Sequence, residues 1–384
     1  MRLAFITSSF PPYISGVAVN AANITTGLAN RGHQVGVFIP AYPEPITPGS
    51  SLAHPNLHLF HLPSLINPFK TSHRLLSPFP ASLLAQLSVF KPDIIHFQEP
   101  QFFLFPGVKN YAHTNHLPIV CAHHFPPEFI TNQLPSWLRK KTINRLIIRV
   151  VTNLYNQSNL VITPTETMKK LLIANGLKTS VAVISNGVDL NKYLPPPQNH
   201  PRFQPNILLY LGRLDFDKNV DILIQAANYT KSNCAIWIAG SGSAADFLKS
   251  LTAKLNLEKR IKFLGYLPED KKIDLYRQAG VFVLPSTAEA QSIVSLEAAA
   301  CGLPLILANA AALPELISPD HPNGVLFRPN DPIDLAAKID LLLASPRQLT
   351  KMGKNSRRLA QTHDINKVIG NYEQAYNETV SLPN

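Results

Sequence analysis

Residues 287–304 read T-A-E-A-Q-S-I-V-S-L-E-A-A-A-C-G-L-P, with two acids, Glu289 and Glu297, separated by seven residues. The pattern predicts a short helix over 293–300, capped at its start by Ser292 and ended by the glycine and proline that follow. The free N–H groups and positive dipole end of such a helix suit a phosphate. The acids on either side suit sugar hydroxyls, so the stretch predicts a sugar-nucleotide site. An ordinary amphipathic helix is the alternative interpretation.

Strands and helices alternate outward from this stretch through both halves of the chain. The clearest predicted strands are Leu3–Thr7, His33–Pro40, Ile207–Leu211 and Ala235–Ala239, and the helices between them are Val17–Ala29 and Val220–Asn228. Residues 41–80 are rich in proline and histidine, and we expect them to be irregular apart from a short strand near Leu57–His61. Alternation of this kind predicts an α/β fold with two Rossmann-like, doubly wound parallel sheets facing across a cleft.

A chain of 384 residues is too long for one ordinary core, so two domains of similar size are expected. The proline cluster from Leu194 to Pro205 predicts the linker between them. We therefore place an N-terminal domain at 1–200 and a C-terminal domain at 201–365. A last helix over 366–384 is expected to pack back on the N-terminal domain.

The positive charge of the chain is concentrated in its first half. Residues 1–205 contain 16 Lys and Arg against 6 Asp and Glu, whereas the remainder contains 19 against 18. Such an excess predicts an anionic partner, for which a membrane surface and nucleic acid are the candidates. Three widely spaced cysteines predict neither a disulfide framework nor a zinc cluster, which fits a reducing cytoplasm. The first residues suit a β-strand better than a signal peptide, and the longest apolar run, Ala298–Leu313, is too short and too interrupted to be expected to span a bilayer.

The segment Ser136–Tyr155 has the pattern of an amphipathic basic helix. Its apolar positions repeat at helical spacing at Leu138, Leu146, Val150 and Leu154, with Thr142 in the same row and Ile143, Ile147 and Val151 beside it. Its basic residues are Arg139, Lys140, Lys141, Arg145 and Arg149. A helix on an anionic membrane surface and a core helix with a solvated face are the two interpretations. No specific nucleic-acid partner is expected, because no recognition motif accompanies the charge.

Two cations follow a predicted strand directly in the second half, in the sequence G-R-L-D-F-D-K-N. Arg213 and Lys218 would point toward the helix that begins after Ser292. One guanidinium and one ammonium can neutralise a diphosphate without a metal ion, and they stabilise the charge of a leaving nucleoside diphosphate. In the first half, His123 and His124 follow the predicted strand Ile119–Ala122, at the edge where such sheets bind ligands.

At this point the chain resembles glycosyltransferase family 4, the retaining enzymes of the GT-B fold. The resemblance is carried, in family order, by P-Y-I-S-G-V-A, V-I-T-P-T-E, I-S-N-G-V-D, Y-L-G-R-L-D-F-D-K-N, F-L-G-Y-L-P, the stretch 287–304, L-P-E-L-I and N-G-V-L-F. These pieces cover nearly the whole chain. The resemblance implies a nucleotide-sugar donor, most often UDP-linked, held mainly by the C-terminal domain, 201–365. It makes the N-terminal domain, 1–200, the acceptor side. It also implies transfer with retention of configuration and no essential metal.

The resemblance also implies roles for residues at matching positions. The implied catalytic residues are His124, Arg213, Lys218 and Glu289, with the two cations on the diphosphate, Glu289 on the donor sugar and His124 near the reacting centre. We assign no nucleophile. The implied donor-binding residues are Gly16, Arg213, Lys218, Gly240, Gly265, Tyr266, Glu289, Gln291, Ser292, Ile293 and Glu297, with Glu297 on the ribose hydroxyls and the backbone around Leu264–Leu267 facing the base.

One departure from the family pattern bears on the acceptor. The family usually has a Phe-Gly pair where this chain has Gln291 and Ser292, and the glutamine together with I-S-G-V-A looks like the members that glucosylate diacylglycerol. We therefore predict a retaining hexosyltransferase that moves a hexose from UDP-hexose to diacylglycerol or another glycolipid precursor. The enzyme is expected in the cytoplasm, peripheral at the inner face of the membrane. A soluble sugar or polysaccharide precursor as acceptor, and a non-catalytic sugar-nucleotide-binding protein, are the alternatives.

Overall fold

The computed structural model describes residues 1–13, 15–42, 54–67, 73–127, 141–197 and 204–381, with the side chain of Lys141 outside the description. The chain forms two compact units, Met1–Asn186 with Ile365–Asn384, and Gly187–Asp364. The change of unit therefore falls earlier than the predicted boundary after residue 200. Hydrogen bonds explain the difference, because Arg357 donates to the carbonyl oxygens of Leu190 and Tyr193 and joins that segment to the second unit.

The first unit is built on a seven-stranded parallel sheet whose strand order is β3-β2-β1-β6-β7-β8-β9. Its strands are β1 Arg2–Ile6, β2 Gln34–Pro40, β3 Leu57–Leu62, β6 Ile94–Phe97, β7 Ile119–Ala122, β8 Leu160–Thr163 and β9 Val181–Val183. A two-stranded antiparallel sheet, β4 Ser64–Ile66 with β5 Arg74–Leu76, lies in a region that we expected to be irregular beyond β3. The central strands are buried on both faces, as parallel sheets require.

The helices described in the first unit are α1 Gly16–Asn30, α2 Ala81–Phe90, α3 Phe105–Thr114, α4 Lys141–Tyr155 and α5 Glu166–Ala174. The C-terminal helix of the chain, Ile365–Ser381, also belongs to this unit. Its residues Ile369, Tyr372 and Tyr376 pack in the same core as Ile24 and Leu28 of α1. Burial of these aromatic side chains fixes the end of the chain against the first helix.

The second unit has a six-stranded parallel sheet with strand order β12-β11-β10-β13-β14-β15. Its strands are β10 Gln204–Leu211, β11 Ala235–Ala239, β12 Ile261–Gly265, β13 Ala279–Leu284, β14 Leu305–Ala308 and β15 Gly324–Phe327. Its helices are α6 Val220–Tyr229, α7 Ala245–Lys254, α8 Glu269–Gln278, α9 Ile293–Ala300, α10 Pro332–Leu343 and α11 Pro346–Thr362; we name Ile365–Ser381 α12. The predicted doubly wound α/β architecture is confirmed in both units.

Each sheet has a point at which the order of its strands reverses. In the first unit this point lies between β1 and β6, and in the second between β10 and β13. In doubly wound sheets ligands bind in the crevice outside the carboxyl ends of the two strands that flank such a point. The loops after β10 and β13 contain Arg213, Lys218 and Glu289, so the fold brings these residues to one crevice of the second unit.

Helix α4 faces the core with only part of the apolar pattern that its sequence predicted. Leu154 of the predicted row is buried, as is Val151 beside that row. Ile148, Val151 and Tyr155 are buried, whereas Leu146 and Val150 of the predicted apolar row are 63% and 47% exposed. The helix is turned so that the row 148-151-155, one helical spacing apart, meets the sheet. The helix therefore presents two aliphatic side chains to solvent, on the side that we had assigned to the core.

Candidate active site

Lys218 and Glu289 form the central ion pair of the second unit's crevice. Lys218 Nζ lies 2.8 Å from Glu289 Oε1 and 3.3 Å from an oxygen of Asp217. Lys218 ends a 3-10 turn after β10, and Glu289 lies in the loop after β13. Both side chains are mostly buried. Burial of two charges removes their hydration, and only close contact between them can offset that loss. The distance of 2.8 Å between Lys218 and Glu289 provides such contact.

Arg213 contacts two acids, Asp215 and the Asp217 that also contacts Lys218. Its guanidinium forms an ion pair with Asp215 and lies 3.5 Å from Asp217 Oδ2. The carbonyl oxygen of Arg213 accepts a hydrogen bond of 2.6 Å from the buried hydroxyl of Tyr210, which fixes the backbone at the end of β10. Each of the two cations is therefore paired with carboxylates of the chain itself. A diphosphate carries more negative charge than one carboxylate and can replace it as the partner of either cation.

The loops after β10 and β11 interlock closely. Asp215 Oδ1 accepts hydrogen bonds of 3.0 Å from both the backbone N–H and the hydroxyl of Ser243. At Gly240, which has φ +140°, a Cβ would lie well inside contact distance of the carbonyl oxygen of Gly212. Only glycine fits there, because any side chain would separate the two loops. Gly240 therefore acts here as a packing residue that keeps the Arg213 loop in place.

Helix α9 begins at the end of the loop that follows β13, the loop that contains Glu289. Ser292 caps it, with its Oγ accepting a hydrogen bond of 3.2 Å from Ser295 N, so the prediction of a capped helix over 293–300 is confirmed. The N–H groups of Ile293 and Val294 have no partner within the helix and carry its positive dipole end. Gln291 is buried beside the cap. The serine that replaces the family's usual glycine thus has a structural task at the helix start.

Glu297 lies one turn into α9 and is almost completely buried, with 5% of the residue exposed. Its two carboxylate oxygens accept hydrogen bonds of 2.8 Å from the hydroxyls of Tyr193 and Tyr276 respectively. Burial raises the pKa of Glu297, whereas Lys272, at 4.0 Å, acts in the opposite direction. The structure does not bring Glu297 into contact with Lys218 or Arg213 directly. Glu289, which pairs with Lys218, precedes the first residue of α9 by four positions, and Glu297 follows that residue by four.

Two further predicted donor-binding residues follow β12. Gly265 ends this strand with φ +70°, and its carbonyl oxygen accepts a hydrogen bond of 2.7 Å from Gly240 N. Tyr266 is 60% exposed. An exposed aromatic ring at a carboxyl edge of a sheet is available for stacking against a planar base.

In the first unit, Gly16 is the first residue of α1, the helix that follows β1. Ser15 caps that helix by accepting a hydrogen bond of 3.1 Å from Ala18 N. At the point where the strand order reverses, Glu99 extends from the loop after β6 and accepts hydrogen bonds from Ser8 N and the hydroxyl of Thr7. A carboxylate of the chain itself thus occupies donors that could otherwise hold an anionic ligand at this crevice.

The candidate catalytic histidine, His124, follows β7 and belongs to a buried polar network. The side chain of Asn186 acts against the effect of burial on the pKa of His124, and Asn20 Nδ2 donates to the carbonyl oxygen of Asn186 at 3.3 Å. Gln98 Nε2 donates to Asn20 Oδ1 at 2.8 Å, and its Oε1 lies 3.0 Å from His96 Nε2.

Burial lowers the pKa of His124 to about 4, so its ring is neutral at physiological pH. His124 Nε2 has no hydrogen-bond partner within the described ranges. A neutral buried imidazole with one free nitrogen is suited to a hydrogen bond with a hydroxyl group. The neighbouring His123 is completely buried and packs against Tyr155, with Nδ1 3.3 Å from the tyrosine hydroxyl. Its Nε2 likewise has no hydrogen-bond partner within the described residues.

The predicted basic row divides between described and undescribed residues. Arg139 and Lys140 lie outside the described residues, and Lys141 begins α4 without a described side chain. Arg145 and Arg149 are exposed on α4, one helical turn apart. Among the described residues, no group of three or more His, Cys, Asp or Glu side chains is placed to hold a metal ion.

Five residues that shape these sites were not predicted from the sequence: Tyr193, Tyr210, Asp215, Asp217 and Tyr276. Their partners lie far away in the chain or around a tight turn, so periodicity carries no signal for them. The two aspartates were visible in L-D-F-D-K as acids beside the cations. The tyrosines had no such local signal.

Known proteins resemble the chain along nearly its whole length. Residues 14–192 match the family described as Glycosyltransferase Family 4, and residues 196–359 match the one described as Glycosyl transferases group 1. A glycogen synthase from Mycobacterium tuberculosis is 27% identical over 98% of this chain and 94% of its own length. An alpha-monoglucosyldiacylglycerol synthase from Streptococcus pneumoniae is 25% identical over 90% of this chain and 79% of its own.

Solved structures share the fold. Anabaena HepE, crystallised in complex with UDP and glucose, has a TM-score of 0.76 to this chain, with 22% identity and coverage of 98% and 100% of the two chains. The architecture is therefore that of the GT-B glycosyltransferases. The chain belongs to glycosyltransferase family 4, as its sequence motifs indicated. It is an enzyme that transfers a sugar from a nucleotide sugar to an acceptor.

Proposed function

We propose that this chain is a retaining hexosyltransferase that transfers a hexose from UDP-hexose to a membrane-surface acceptor, such as diacylglycerol or another glycolipid precursor. The observation that carries the donor part is the crevice between β10 and β13. There Lys218, Arg213 and the N-terminus of α9 place positive charge beside Glu289. In this proposal the two cations hold the diphosphate and stabilise its charge as it leaves, without an essential metal ion.

The proposed donor pose follows from the polarity of each part of the crevice. Glu289, released from Lys218 when the diphosphate binds, accepts hydrogen bonds from hexose hydroxyls. Glu297, on the inner turns of α9, takes the ribose hydroxyls. The base lies along the backbone at Gly265, beside the exposed ring of Tyr266. The assignment of UDP and of hexose is supported by the complexes of HepE with UDP and glucose, whose fold this chain shares.

The membrane part of the proposal is supported by the exposed face of α4. Leu146 and Val150 are exposed beside the exposed Arg145 and Arg149, a combination typical of helices that lie in a lipid interface. No described helix is both long and apolar enough to cross a membrane. The similarity to a monoglucosyldiacylglycerol synthase supports a lipid acceptor, and the similarity to a glycogen synthase supports the alternative of a glucan acceptor.

An acceptor screen tests the proposal. UDP release from UDP-glucose, UDP-galactose and UDP-N-acetylglucosamine is measured with vesicles containing diacylglycerol and phosphatidylglycerol, and separately with maltose and short glucans, all in the presence of EDTA. We expect release with the vesicles, and an α-linked product by NMR from an α-linked donor. The Glu289→Gln variant should lose turnover, whereas Glu258→Gln, at an exposed position, should retain it. Transfer to glucans alone would favour the soluble acceptor, and donor binding without release would favour a non-catalytic protein.

A further inference from the structure

The carboxylate of Glu297 is held from two sides by tyrosine hydroxyls. Tyr193 donates to Oε1 and Tyr276 donates to Oε2, each at 2.8 Å. The tyrosine rings stand at 71° to each other with centroids 6.1 Å apart. Two donors on two different oxygens fix both the position and the plane of a carboxylate, which one donor could not do.

Both tyrosines are anchored by the rest of the second unit. Tyr276 belongs to α8 and is completely buried, with its ring packed near Phe282 of β13. Tyr193 precedes β10, and its carbonyl oxygen accepts a hydrogen bond of 2.6 Å from Arg357 of α11. Neither phenol oxygen can move away from Glu297 without movement of a packed element, so the positions of the two oxygens are fixed.

The Tyr193 hydroxyl is also within hydrogen-bonding distance of a second carboxylate, that of Glu269, and the two carboxylates compete for it. Glu269, unlike Glu297, has two close cations of its own. Lys192 Nζ is 3.0 Å from Glu269 Oε1, and Lys272 Nζ is 2.6 Å from Oε2. A phenol has a single proton to donate. Glu269 is already paired with two ammonium groups, whereas the nearest ammonium to Glu297, that of Lys272, is 4.0 Å away. The buried carboxylate of Glu297 therefore gains more from the phenol proton than Glu269 does.

The geometry leaves Glu297 with a defined acceptor capacity. An ionised carboxylate has about four lone-pair sites, of which the two phenols occupy one on each oxygen. One site then remains on each oxygen, and both lie in a fixed plane. Two neighbouring acceptor sites of this kind match two neighbouring hydroxyls on one ring, the cis-diol of a ribose.

We infer that Tyr193 and Tyr276 are positioning residues that fix the Glu297 carboxylate for the two ribose hydroxyls, and that they make the donor site selective for ribonucleotides over deoxyribonucleotides. The inference rests on the proposed function, because it takes the ligand of Glu297 to be the ribose of a uridine nucleotide. The tyrosines touch no reacting atom. They act through the orientation of Glu297.

Calorimetric titration with UDP and with 2′-deoxy-UDP tests the inference. The wild-type protein should bind UDP more tightly, and the ratio of the two dissociation constants measures the ribose preference. Tyr193→Phe and Tyr276→Phe should each lower this ratio by roughly twofold to tenfold, which is the range of one hydrogen bond's net contribution. Tyr372→Phe removes a buried hydroxyl that has no partner within the described residues, and should leave the ratio unchanged.

The outcomes separate the inference from the proposed function. A protein that binds UDP with wild-type ribose preference in both phenylalanine variants would overturn the inference and leave the proposed function standing. If the phenylalanine variants merely lose stability, they should bind both nucleotides more weakly and keep the ratio of the two dissociation constants. That result would also count against a positioning role for the tyrosines. If the wild-type protein does not bind UDP at all, the proposed function fails and the inference fails with it.

Discussion

Lys218 Nζ lies 2.8 Å from Glu289 Oε1, although 71 residues separate the two in the chain. The pair joins the loops after β10 and β13, the two strands at which the sheet reverses its order. In the absence of a donor, the crevice thus neutralises its cations with its own acids. These internal ion pairs keep the side chains ordered before the donor arrives. Binding of a diphosphate then exchanges one set of ion pairs for another.

Replacement of Lys218 tests this exchange. Lys218→Met should lower kcat/KM for UDP-hexose roughly tenfold to hundredfold, because a hydrogen bond to a charged group contributes about 1.5–3 kcal/mol. Lys259→Met, which removes an exposed lysine of the same unit, is the matched control and should behave as the wild type. Initial rates of UDP release give the comparison. Equal kcat/KM values for the two variants would contradict a role for Lys218 at the diphosphate.

The close approach of Gly240 to Gly212 predicts a stability effect that Gly176 should not share. Both Gly240 and Gly176 have positive φ, but a Cβ at Gly176 would meet nothing within 4 Å. Gly176→Ala should therefore lower the free energy of unfolding by about 1–2 kcal/mol through backbone strain alone. Gly240→Ala adds a steric clash, and its loss should exceed about 3 kcal/mol. Urea unfolding measures both, and equal losses would show that the two loops are not in tight contact.

Glu99 predicts a pH dependence of stability. Burial raises the pKa of Glu99 to about 7, against the opposing hydrogen bonds from Ser8 and Thr7. The ordinary pKa of a glutamate is 4.5, so between about pH 4.5 and pH 7 the native state binds more protons at Glu99 than the unfolded chain does. The contribution of Glu99 to the free energy of unfolding therefore falls as pH rises through this range. Glu99→Gln should reduce that fall between pH 5 and 8, while Glu258→Gln should not. Urea unfolding at several pH values is the measurement, and the same slope in all three proteins would contradict it.

The exposed face of α4 predicts salt-dependent binding to anionic vesicles. Arg145→Gln/Arg149→Gln should weaken binding by about 2 kcal/mol at low salt, since each arginine near an anionic surface contributes about 1 kcal/mol. Lys354→Gln/Arg358→Gln removes two exposed charges with the same spacing from α11 and serves as the control. Sedimentation with phosphatidylglycerol vesicles compares them. Binding that is absent in the wild type, or insensitive to salt and to the first variant, would argue against the membrane acceptor.

The sequence predicted those parts of the fold that depend on local pattern. The helix 293–300 with its serine cap and the alternation of strands and helices both follow from short-range chemistry, and both are confirmed. The core-facing side of α4 was predicted only in part, since Leu154 of the predicted row is buried and Leu146 and Val150 are exposed. The adjacent row through Ile148 and Val151 is also apolar, and only the sheet decides which row faces the core. Local pattern did not predict the sheet β4–β5 either.

Features of the site that join distant segments could not be predicted from local pattern. The contact of Tyr193 with Glu297 spans 104 residues and depends on where the segment after Asn186 lies. The same segment moves the boundary between the units away from the proline cluster, because Arg357 binds its carbonyl groups. Charge pairing around Arg213 was within reach of the sequence, since Asp215 and Asp217 stand beside it in the chain.

A crystal structure of the protein with UDP tests the central claim most directly, because it shows which crevice holds the nucleotide. We expect the diphosphate within hydrogen-bonding distance of Arg213 and Lys218, in the crevice between β10 and β13, and both ribose hydroxyls on Glu297. A nucleotide bound instead at the crevice between β1 and β6, with its phosphates beside Thr7 and Glu99, would contradict the account.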